Sequence, residues 1–255
     1  MRRREKFVLS SIFLSLGLLA VQYVPLEYRY AVIAALGLSS YLVSAWALSD
    51  DLQKHEWLTI IPLPSLYSMS VALFYFLLPE NILSRFVILL LFGVGMYTLY
   101  LTANIFSVAK GRTIQLLHAA HAVGLMVTLL TSLLFLNTIF SLRLSWYVTG
   151  LLIFVTHLPL IFLSLWSVRL ESHISKPLAS ISGLFALVLS EIGLVFCFYP
   201  FSVWYSSLLL MSFLYLGLGL LHNHLQERLF KNTLTEYLFA AVFIAMIFIF
   251  NFPLK

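Results

Sequence analysis

Nine stretches of nearly unbroken apolar residues run along the chain, at 7–24, 30–48, 57–78, 85–107, 114–136, 146–168, 177–198, 203–222 and 234–252. Each is close to the roughly 20 residues that an α-helix needs to cross a hydrocarbon core about 30 Å thick. The gaps hold breakers and charges: Pro25, Asp50-Asp51, Pro79-Glu80-Asn81, Lys110-Gly111-Arg112, Asn137, Ser175-Lys176-Pro177 and Pro200. Lipid offers the backbone no hydrogen-bond partners, so such stretches satisfy their own amides as helices. The pattern predicts an all-α polytopic transmembrane helix bundle of nine spans, forming a single integral membrane domain over residues 1–255. The connections are short, so consecutive helices are expected to be antiparallel neighbours.

Composition removes the competing classes. Hydrophobic residues make up 62% and charged residues 10%, against about 45–50% and about 25% in an ordinary globular domain. A soluble enzyme, a disordered chain or a disulfide framework is excluded together with a soluble fold. The net charge of +5 does not point to nucleic acid, because no solvated domain carries clustered Lys and Arg. It fits basic loops at an anionic leaflet instead. With the N-terminus inside, 11 basic residues fall on the cytoplasmic side and 4 (Arg29, Arg85, Arg143, Lys255) on the other, the asymmetry of the positive-inside rule. The N-terminus is therefore expected in the cytoplasm and the C-terminus outside. All five tryptophans lie at or near predicted span ends, where amphipathic rings prefer to sit. The first span follows Arg2-Arg3-Arg4 but lacks a small-residue cleavage site at Leu18-Leu19-Ala20, so it reads as an uncleaved signal anchor. Cys197 is the single cysteine, which leaves no disulfide within one chain.

Any chemistry must come from the few polar residues at membrane depth, each costing about 2.5–3.5 kcal/mol on insertion scales and usually turned inward. Glu191 sits about 14 residues, or roughly 21 Å, into the seventh span. It is either a proton-exchanging carboxyl or a protonated acid hydrogen-bonded to a neighbour. The hairpin from Asn104 to His121 concentrates further polar groups: Asn104, Gln115, His118 and His121, with Lys110 and Arg112 at its turn. Gln115, His118 and His121 step by three, which places the two histidines on one broad face. Lys110 and Arg112, at the positive end of the following helix, form a candidate contact for an anion or a lipid headgroup. The bland alternative is topology signalling by the two cations and interhelical hydrogen bonds from the rest. His157 lies mid-span, two residues before Pro159, where proline frees the carbonyl of Val155. A metal on His118, His121 and His157 is geometrically conceivable, but no zinc-hydrolase spacing supports it. No metal and no cofactor is assigned.

Secondary features read as packing or solvation. Pro62 and Pro64 predict a kink early in the third span. Ala120/Gly124 and Ala179/Gly183 permit close helix approach, and His222 and His224 begin a mixed-charge loop. No phosphate-binding glycine loop, serine-hydrolase elbow or retinal-type lysine occurs.

The string from Asn104 to Gly124 resembles an uncharacterised family of bacterial multi-span membrane proteins of unknown function. The resemblance covers the central third of the chain and implies a bacterial cytoplasmic membrane and no particular activity. Three functions fit: a non-catalytic scaffold, sensor or assembly partner; a permease or proton-linked carrier for a small solute or lipid; and an intramembrane lipid-modifying enzyme. The first is favoured, with catalytic residues unassigned. Expected partners are membrane lipids and another membrane protein, and no nucleic acid.

Overall fold

The computed structural model describes residues 3–49, 56–78, 81–109, 116–171 and 175–250, and all regular structure among them is helical. In chain order the helices are α1 (Arg3–Val21), α2 (Arg29–Leu48), α3 (Glu56–Thr59), α4 (Pro62–Tyr75), α5 (Ile82–Ala109), α6 (Leu117–Ser141), α7 (Trp146–Arg169), α8 (Lys176–Phe196), α9 (Val203–Leu225) and α10 (Lys231–Phe250). Each apolar stretch of the sequence has its helix among the described residues. Eight helical segments, with α3 and α4 counted as one, are long and apolar enough to cross a membrane. α1 stands outside that count; its first turn carries Arg3, Arg4, Glu5 and Lys6.

The third stretch breaks where its prolines predict. α3 ends at Thr59, and α4 restarts with Pro62 in its first turn, where the missing N–H costs no hydrogen bond. Asn137 does not end α6 as the sequence pattern suggests. It is buried within the helix, which continues to Ser141. The turn is made instead by Arg143, at φ 46°; Leu170 after α7 and Glu227 after α9 are likewise left-handed.

The chain forms two compact units, Met1–Leu134 and Phe135–Lys255. In unit 1, α1 packs against α2 and α5, and α2 and α5 each pack against α4. Phe7, Leu14, Leu18 and Val21 supply the buried face of α1, and the Phe7 ring stacks on Tyr100 with centroids 5.8 Å apart. In unit 2, α7 and α8 form the closest pair, and α9 packs against both. Glycines make the approach possible: a Cβ at Gly193 meets Ile153 of α7, and one at Gly217 of α9 meets the Phe185 ring of α8. α10 packs against α9 and has no buried residue. The two small-residue pairs differ. A Cβ at Gly124 is in van der Waals contact with Phe106, whereas Gly183 has no atom within 4 Å of that position. The Ala179/Gly183 pair is therefore not a packing contact.

Candidate functional site

In unit 1 a seam of hydroxyls ties three helices together. Ser40 and Ser44, four residues apart, occupy one face of α2, opposite Ser68 of α4 and Tyr100 of α5; all four are buried. Ser44 donates to the Ser40 carbonyl at 2.6 Å. Its single hydrogen is thereby used, so the Tyr100 phenol is the donor in their 3.1 Å contact. Ser68 lies 2.9 Å from both Ser40 Oγ and the Pro64 carbonyl. A buried hydroxyl without a partner costs about 1–3 kcal/mol, so the seam fixes the register of α2, α4 and α5.

Further along α5, Tyr100, Asn104 and Ser107 follow one another at spacings of four and three, which puts them on one side of the helix. Ser107 donates to Glu56 Oε2 at 2.9 Å, and Glu56 is fully buried at the start of α3. Asn104 is half-buried on this side. Glu56 was not legible as a site residue, because a carboxylate next to Trp57 at a span boundary reads as interfacial. Its signal would have been the serine on the polar side of α5.

The hairpin residues divide. His118 is exposed in the first turn of α6, whereas His121 is half-buried beside Phe106, with ring centroids 5.5 Å apart. Gln115, Lys110 and Arg112 lie outside the described residues.

In unit 2, His157 is fully buried. Its Nδ1 lies 2.9 Å from the Ile153 carbonyl. A carbonyl only accepts, so Nδ1 carries a proton. Glu191 is exposed on α8. Leu184, Leu187, Val188 and Val195, its neighbours along the helix, are exposed as well. The carboxyl therefore sits in an apolar stripe directed away from the unit's core. Ser164 of α7 and His222 Nε2 of α9 are 3.0 Å apart. His222 thus belongs to a helix–helix tie rather than to a solvated loop, because α9 runs on to Leu225. Asn223 donates to the Gly219 carbonyl at 2.8 Å.

Among the described residues no three His, Cys, Asp or Glu side chains come together as a metal-binding group. His118 and His121 belong to unit 1, and His157 and Glu191 to unit 2.

The class this defines is an all-helical protein with, among the described residues, eight helical segments long and apolar enough to cross a membrane. The chain belongs to a family of proteins of unknown function, DUF5656, whose family model matches residues 7–251 and so extends far beyond the central hairpin. No curated protein and no solved structure matches it.

Proposed function

We propose that this protein is a nine-span component of a cytoplasmic membrane, with its N-terminus inside, that acts as a non-catalytic scaffold or assembly partner for another membrane protein. The observation that carries this reading is the setting of Glu191 in the exposed stripe Leu184–Val188–Val195. A carboxyl on a lipid-facing surface is costly. A donor from a second polypeptide removes that cost, and interhelical hydrogen bonds in bilayers contribute about 1–2 kcal/mol in model peptides. The apolar faces of α10, none of them buried, suit lipid contact.

The test uses association in native membranes, with cross-linked partner yield as the readout. Glu191→Gln retains the hydrogen bond and is expected to keep the partner, whereas Glu191→Leu should lower partner yield about tenfold. A leucine variant with unchanged partners rejects the scaffold reading. A solute-transport phenotype that is lost in Glu191→Gln while association persists favours the proton-linked carrier.

Orientation has its own test, motivated by the distribution of 11 basic residues against 4. In a Cys197→Ser background, Ser141→Cys and Leu254→Cys are expected to react with an impermeant maleimide on intact cells, and Gly111→Cys is not. The reverse pattern overturns the topology.

A further inference from the structure

At one end of unit 2, the C-terminal ends of α6 and α8 meet the N-terminal turns of α7 and α9 around a cavity of about 680 Å³. Its polar lining includes Arg143, Thr149, Ser202 and Ser206, and Phe196 and Phe201 line its apolar side. By contrast, the cavity of about 190 Å³ among α8, α9 and α10 is lined by apolar side chains throughout.

Three properties of the larger cavity point to a bound anion. Arg143 brings a full positive charge, and no carboxylate lines the cavity to neutralise it. The first turn of α9 opens on the same space, with Ser202 as its N-cap accepting from the Tyr205 amide at 3.4 Å, so the positive end of the helix dipole adds to that charge. The third is independent of both. Ser206 is 4% exposed and lines the cavity, yet its hydroxyl makes no hydrogen bond among the described residues. The other buried serines of α8 and α9 each donate to a carbonyl: Ser207 to Val203 at 2.8 Å, Ser182 to Leu178 at 2.8 Å and Ser190 to Gly150 of α7 at 2.7 Å. The Ser206 oxygen opens on the cavity, so the unused hydroxyl is placed to donate to a ligand oxygen there. Thr149, 2% exposed in the same wall, is not a second free donor, because its hydroxyl is hydrogen-bonded to Cys197.

We infer that this cavity binds one phosphate-bearing anion, a phospholipid headgroup or free phosphate, with Arg143 holding the charge and the Ser206 hydroxyl donating to a phosphate oxygen. One guanidinium matches the single charge of a phosphodiester. The volume lies within the roughly 300–1,000 Å³ of small-molecule sites, leaving room for more than a bare phosphate. Phe196 and Phe201 would face the apolar remainder of a lipid. The inference depends on neither the scaffold reading nor Glu191.

The experiment uses the full chain purified in a neutral detergent, with dioleoylphosphatidylglycerol and inorganic phosphate as separate probes. Lipid retention is read by native mass spectrometry and phosphate binding by thermal shift. Wild type is expected to bind at least one probe with a single saturable site. Arg143→Gln should weaken that binding about tenfold and Ser206→Ala about threefold, while Arg29→Gln, a basic residue of unit 1, leaves it unchanged. Retention of the lipid alone identifies a headgroup as the ligand, and a shift with phosphate alone identifies the free anion. Binding that is absent in wild type, or equal in wild type and Arg143→Gln, overturns the site. Melting without probe checks that each variant folds, and should Arg143→Gln not fold, equal binding by wild type and Ser206→Ala overturns the site instead.

Discussion

Replacing Gly95 by valine is expected to lower the melting temperature of the detergent-solubilised protein by roughly 5–10 °C, for an overpacking cost of about 2–3 kcal/mol. Gly95 lies on α5 where the Tyr67 phenol of α4 crosses it, and a Cβ there would fall 2.7 Å from Tyr67 Cζ. The phenol has nowhere to withdraw. It is buried, its ring stacks on Phe92 with centroids 5.7 Å apart, and its hydroxyl donates to the Leu91 carbonyl at 3.3 Å. Gly183→Ala is the matched control. It fills open space on α8, and replacing a helical glycine by alanine stabilises by up to about 1 kcal/mol. Thermal unfolding followed by fluorescence size-exclusion chromatography separates the two. A Gly95→Val protein that melts like wild type would mean that α4 and α5 do not meet at this point.

Gly183 also shows what a membrane sequence conceals. The place of each helix was legible because each long apolar stretch folds as helix, and the break before Pro62 because proline lacks a donor. Which way a helix faces was much less so. In water an apolar stripe marks the core, but on α8 both faces are apolar. Leu178, Leu189 and Phe196 are buried, while Leu184, Leu187 and Val195 are exposed. What distinguishes the packed side is residue size: Ser182, Ala186, Ser190 and Gly193 all fall on it, as close helix approach requires. Glu191 next to Ser190 therefore had a legible depth, but its outward direction follows only once the small-residue face is known.

Helix ends were obscured for a different reason. Arg143, Leu170 and Glu227 take left-handed conformations usually left to glycine, so no composition signal marks those turns. Asn137, a turn former by composition, is buried in α6 instead. In the candidate site, Asn104 was legible as a polar residue on α5. Its surroundings were not, because Tyr100 and Ser107 meet partners on other helices: Ser44, 56 residues away, and Glu56, 51 residues away. Spacing along one chain does not encode such pairings.

His157→Ala is expected to be the most damaging change among the sequence-selected residues, costing about 2–4 kcal/mol and lowering the melting temperature by roughly 5–12 °C. The ring is fully buried in unit 2, on the α7 face that also presents Gly150, Ile153, Leu160 and Ser164. Alanine leaves a cavity there that the packed α8 and α9 cannot close. His157→Leu separates this packing cost from any chemistry of the imidazole. Leucine restores most of the volume, and the Ile153 carbonyl, which loses the Nδ1 proton, lies inside α7, where the backbone amide four residues on is its regular donor. The leucine protein should therefore melt within about 1.5 kcal/mol of wild type. If it also complements a deletion strain, the imidazole acts as a packing strut, as a scaffold requires. Should it fold but fail to complement, the imidazole takes part in function, and the carrier and lipid-enzyme readings displace the scaffold.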